Sequence, residues 1–136
     1  MLLHLSRTIF ICGTLLIWTI KWVLRPLEFA GPLQYFLNIA PNLFGAFLIP
    51  FAAFWFFSGK DHLVARIFRI SCSFELKLVC LLGFCMLVVN EYLQKIPVFG
   101  RTFDYSDIVF SSLGLVVSCF VFGRLRSRQE PSPQLL

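Results

Sequence analysis

The chain has 136 residues, of which 58% are hydrophobic and 14% charged, with 17 Phe and a net charge of +5. An ordinary soluble domain is about 25% charged, so too few charged residues exist here to clothe a core of this composition in water. A soluble single domain, a disordered chain and a disulfide-stapled scaffold are excluded, which leaves a small all-α protein of membrane-crossing helices.

The first apolar run extends from Thr8 to Leu24. It ends among Lys21, Trp22 and Arg25, residue types that anchor a helix at a membrane interface. Arg7 before an apolar stretch also suits a cleaved leader, but Lys21 and Arg25 precede any small-residue cleavage site, and a retained helix is expected. The second run, Phe36 to Phe57, is rich in Phe, with Pro41 near its start and Pro50 inside. Pro50 removes a backbone donor and should bend the helix near Ala46–Pro50. In a bilayer such a break persists only where neighbours or water satisfy the freed carbonyl. It is either a simple kink or a break that faces a ligand.

Between the second and third runs, Leu63–Ile70 interleaves apolar residues with Arg66 and Arg69, the pattern of a short amphipathic helix at the membrane surface. The third run covers Leu76 to Leu93 and the fourth Asp107 to Phe122. All four runs are near the length of about 20 residues that spans the hydrocarbon layer. They predict one compact four-helix transmembrane domain over residues 1–123, with helices about 8–24, 36–57, 76–93 and 107–122. Residues 124–136 form a basic, Pro-containing tail, expected to fray.

Four crossings put both termini and the linker between the second and third helices on one side. That side carries Arg7, Lys60, Arg66, Arg69, Lys77, Arg124, Arg126 and Arg128, against Lys21, Arg25, Lys95 and Arg101 on the other. The positive-inside rule then predicts cytoplasmic termini. The basic residues are topology determinants beside apolar runs, and no stripe with interleaved aromatics points to nucleic acid. Membrane lipids are the expected surroundings. The five cysteines, Cys12, Cys72, Cys80, Cys85 and Cys119, form no C-x-x-C pair. Four of them lie in or at the ends of apolar segments, where a thiol behaves as a small hydrophobe. No metal site and no cofactor is expected.

The stretch from Asn90 to Asp107 is polar where its flanks are apolar. Glu91, Gln94 and Lys95 share one face at the end of the third helix. Pro97 and Gly100 then turn the chain. Asp104, Asp107, Ser111 and Gly114 follow on one face of the next helix, with Asp104 or Ser106 as its N-cap. Two carboxylates at a helix start also meet the favourable end of its dipole. The spacing brings Glu91, Gln94, Asp104, Asp107 and Ser111 towards each other, with Arg101 in the turn, where its planar fork can bridge two carboxylates. These residues form either a brace, with capping aspartates and a Glu91–Arg101 pair, or a polar pocket at the outer membrane face. Ionisable groups partly inside a membrane segment are costly, which favours a purpose for them.

The order Glu91-x-x-Gln94, Arg101-x-x-Asp104-x-x-Asp107, then Gly114, resembles the signature of the VanZ-like membrane proteins over the continuous stretch Asn90–Gly114. That bacterial family is named for a protein associated with low-level resistance to the glycopeptide teicoplanin. Its members are small multi-helix proteins in which this motif joins the last two helices. Pro41–Phe47 bears a weaker resemblance to the start of an earlier family helix. Two positions depart from the pattern: Ser111 stands where the family commonly has Asn, and a His often found in the earlier helix has no counterpart, Asn42 standing near its place. The resemblance implies a bacterial inner-membrane protein whose polar residues bind an envelope precursor, a lipid head group or a glycopeptide-type molecule. Another class also fits the residues: a small accessory subunit of a larger membrane protein complex, since Ser111, Gly114 and Ser118 would let helices approach closely. A third is an intramembrane enzyme using Glu91, Asp104 and Asp107 for acid–base or metal-assisted chemistry. No Ser–His or similar nucleophile–base pair is visible, so no catalytic residue is assigned.

Overall fold

The computed structural model describes residues 1–93, 96 and 104–129. Helix α1 spans Leu2–Thr19 and continues through a π turn, Ile20–Leu24, and a 3-10 turn, Arg25–Leu27. Helix α2 follows over Pro32–Phe57, α3 over Leu63–Phe68, α4 over Ser73–Leu93 and α5 over Tyr105–Ser127. Four segments, of 26, 26, 21 and 23 residues, are long and apolar enough to cross a membrane, and no strand occurs among the described residues. The fold is an all-α bundle of four membrane-spanning helices, with α3 as the short helix in the central linker.

All four helices run past their apolar stretches, α2 from Pro32 and α4 from Ser73 at their starts, and α1 and α5 by the most. Helix α1 begins at Leu2 because Leu2 is buried in the main core with Phe51, Ile70, Leu76 and Phe122, and its N–H donates to Gln129 Oε1 at 3.0 Å. Helix α5 continues beyond Phe122 to Ser127, with Arg124 and Arg126 in its last turn, where cations meet the negative end of the helix dipole.

Helix α2 is the central post. Its buried residues include Leu37, Ala40, Ala46, Leu48, Pro50, Phe51 and Ala53, and it packs against α1, α4 and α5. Each neighbour approaches through a glycine: Gly13 of α1 abuts Leu48, Gly83 of α4 abuts Ile49, and Gly114 of α5 sits over the Leu43 carbonyl. Tilted and edge-on rings fill the space below. Phe122 stands 5.3 Å from Phe51 and 5.4 Å from Phe54, centroid to centroid. Such pairs add roughly 0.5–1.5 kcal/mol beyond area burial.

Both prolines lie within a continuous α2, and at Pro41 another segment supplies a donor to the freed carbonyl. Pro41 leaves the Leu37 carbonyl without its helical N–H. The π and 3-10 turns that close the first crossing bring Arg25 there: its Nε donates to Leu37 O at 3.1 Å, and its Nη2 donates to Asn38 O. Pro50 likewise deprives Ala46 of a donor, and the Ser118 hydroxyl of α5 donates to the next carbonyl, Phe47 O. Pro50 is itself fully buried. Of the two readings of the Pro50 break, this environment is that of a helix–helix contact.

One end of the bundle gathers the termini and the linker. Arg126 donates to the Ser71 carbonyl, Arg69 pairs with Asp61 at 3.3 Å, and His62 caps α3 by accepting from the Ala65 N–H at 3.1 Å. The basic residues predicted to share a side, from Arg7 to Arg128, all lie towards this end. Lys21 and Arg25 lie towards the other, while Lys95 and Arg101 fall outside the described residues.

Candidate functional site

The end opposite the termini holds the polar residues singled out by spacing. Asp104 is the N-cap of α5, its Oδ1 accepting from the Ser106 N–H at 2.8 Å. Of the two candidate caps, Asp104 takes the role, since its extended backbone (φ −130°, ψ 124°) aims the carboxylate back at the first turn. Asp104 is exposed, and Asp107 sits half-buried in that first turn. Ser111 follows one turn on and is buried.

Glu91 is two residues from the end of α4 and is 7% exposed, on the stripe that also buries Leu76, Val79 and Gly83. A carboxylate on the packed face of a membrane helix is a costly placement. Helices α4 and α5 run antiparallel, with Leu76 beside Gly123. That register carries Glu91 to the level of the first turns of α5, where Asp107 lies. Glu91, Asp104, Asp107 and Ser111 therefore occupy one end of one helix pair. Gln94 and Arg101, the other two candidates, lie outside the described residues.

Ser111 belongs to a second pattern as well. With Gly114, Leu115, Ser118 and Phe122 it forms the buried stripe of α5, and Gly114 and Ser118 of that stripe touch α2. The small residues that would suit association with another protein are used inside this chain.

An apolar hollow of about 510 Å³ opens between α2 and α4, lined by Ile49, Ala52, Phe56, Met86 and Leu87, and extends from Phe57 and Phe68 at the linker end to Asn90. Asn90 is exposed and precedes Glu91 in α4, so the hollow reaches the same turn of the helix that buries the carboxylate on another face. Among the described residues no group of three or more His, Cys, Asp or Glu is placed to hold a metal ion.

Spacing missed two side-chain donors to α2, of which Arg25 serves the carbonyl that Pro41 frees and Ser118 bonds the carbonyl beside the one that Pro50 frees. Arg25 read as an interface anchor and Ser118 as a small packing residue. The signal available was Pro41 and Pro50 themselves, each of which demands an outside donor in a chain with few polar residues to supply one.

A capping role for Asp104 has a measurable size. Asp104→Ala should cost about 1 kcal/mol of stability, seen as a lower melting temperature in detergent. Asp104→Asn or Asp104→Ser should recover most of it, because the cap needs an acceptor and not a charge.

The chain matches no protein-family model, no curated protein and no solved structure. What fold and site define is a class: a multi-pass, all-α membrane protein with four apolar helices.

Proposed function

We propose that this chain is a VanZ-like protein of the bacterial inner membrane, with both termini in the cytoplasm, that binds an amphiphilic envelope precursor at its outer face. In this reading Arg101 pairs with an anionic group of the ligand, and Gln94 and Glu91 position that guanidinium. Asp107, with Asp104 beside it, accepts hydrogen bonds from sugar or amide donors. The observation that carries the reading is the 510 Å³ apolar hollow that reaches Asn90, on the same turn of α4 that buries Glu91 on another face. A ligand with a long hydrocarbon chain and a polar head has those two needs in that order. A lone lipid head group or a glycopeptide would use the polar end without the hollow.

The test is binding by the purified full chain in detergent, with a synthetic polyprenyl-phosphoryl sugar as probe. Arg101→Ala and Asp107→Ala should weaken retention by about tenfold or more each, the size of one lost charge-assisted hydrogen bond, with membrane insertion unchanged. Met86→Trp, which narrows the hollow, should weaken it as well. Equal retention by all three variants removes the site. Loss in the polar variants alone favours a head group or glycopeptide over a chain-bearing precursor. A companion assay is growth of a teicoplanin-susceptible bacterium expressing the wild type or Asp107→Ala.

A further inference from the structure

The seam between α4 and α5 carries two hollows that share Lys77 and Cys119. One, of about 340 Å³, is lined by Leu81, Phe84, Leu115 and Val116, with Ser112 as its one polar residue besides Lys77. The other, of about 350 Å³, lies at the end that holds the termini and carries Ser73, Lys77, Arg124 and Ser127. The register that sets Leu76 beside Gly123 brings Lys77 and Arg124 to the same level. Arg124 is stationed there by the Phe120 ring, 5.0 Å from its guanidinium carbon. Lys77 is exposed, and its stem can lie along the apolar wall while the ammonium stays at the mouth. None of the described lining residues is acidic. Glu75, the nearest carboxylate along α4, is engaged by the backbone N–H groups of Ser71 and Cys72.

We propose that this seam binds an anionic phospholipid. Its phosphate lies between Lys77 and Arg124 with the Ser73 and Ser127 hydroxyls in reach, and one acyl chain runs down the apolar hollow along Leu81, Phe84 and Val116. The two basic groups select charge, and the greasy hollow below them selects a ligand that brings its own hydrocarbon. A free phosphate would use only the mouth, and a zwitterionic lipid only the hollow. The site is at the opposite end from the Glu91 cluster and is independent of it.

Native mass spectrometry of the full chain, released from neutral detergent with equal amounts of phosphatidylglycerol and phosphatidylcholine of identical chains, reads the preference directly. Wild type should retain phosphatidylglycerol about thirtyfold better, the size expected for two basic contacts at a membrane surface. The double variant Lys77→Gln/Arg124→Gln should lose that preference, whereas Lys60→Gln/Arg128→Gln, which removes the same charge elsewhere, should keep it. Val116→Trp, at an exposed position of the hollow, should lower retention of both lipids. Glycerol 1-phosphate in excess should fail to displace the bound lipid. Equal retention of the two lipids by wild type overturns the proposal, as does a preference that survives Lys77→Gln/Arg124→Gln. So does equal loss in the Lys60/Arg128 control, unchanged retention in Val116→Trp, or displacement by glycerol 1-phosphate.

Discussion

Replacing Gly114 with Ala is expected to destabilise the bundle more than any other single methyl insertion in it. A β-carbon there would meet the Leu43 carbonyl oxygen at 2.3 Å and the Ala46 β-carbon at 3.2 Å. Both obstacles are rigid, so α5 must move away from α2 along its whole buried stripe. Inserting a methylene into a tight core costs roughly 1–3 kcal/mol, and a backbone obstacle puts this case at or above the upper end. Gly83→Ala meets Ile49 Cγ2 at 2.9 Å, the end of a side chain that can turn, and should cost less. Gly45→Ala has nothing within 4 Å and should be neutral, or stabilising by about 0.5–1 kcal/mol because Ala is the better helix former. Thermal unfolding of the three variants in one detergent checks the order Gly114, Gly83, Gly45. A Gly114→Ala protein as stable as wild type would show that the α2–α5 approach is looser than described.

The second large effect is at Arg25. Arg25→Ala should cost about 2 kcal/mol, since two carbonyls at the Pro41 break lose a charged donor together. The stronger form of this expectation is a cycle with Pro41. In Pro41→Ala the helix regains an N–H for Leu37 O, so Arg25→Ala made in that background should cost clearly less than in wild type. A coupling energy of at least about 0.5 kcal/mol between the two sites, from unfolding of all four proteins, is the expected signature of neighbours that share a partner. Strict additivity would mean that Arg25 acts only as an interface anchor. Arg25→Lys should recover part of the loss, because an ammonium reaches one carbonyl but lacks the fork that serves two.

How much of this was legible in the residues depends on range. The four crossings are local facts: a run of apolar residues near 20 long has few fates besides a membrane helix, and each run found its helix. The ends were less legible because they depend on distant partners. Nothing near Leu2 shows that Ile70 and Phe122 will bury it, so the run seemed to start at Thr8. The α5 terminus was shortened for a related reason, as Arg124 and Arg126 read as a polar tail although both are good helix formers in a favoured place. At the polar end, the Asp104 cap was readable from residue type and position alone. The burial of Glu91 was readable only as a shared helix face, since the degree of enclosure is set by packing against other helices. Arg25 illustrates what spacing misses. Its reach to α2 depends on a π turn followed by a 3-10 turn, a change of helical pitch that apolar periodicity does not reveal.

The two side-chain donors to α2 differ in when they become available. Arg25 leaves the ribosome before α2 does, so the Leu37 and Asn38 carbonyls meet their donor as soon as the first hairpin forms in the translocon. The Phe47 carbonyl gains its second donor only with Ser118, separated from it by 71 positions. The nascent chain is thus a finished hairpin with one open flank until α5 arrives. Docking of that helix then sets glycine against carbonyl and hydroxyl against carbonyl.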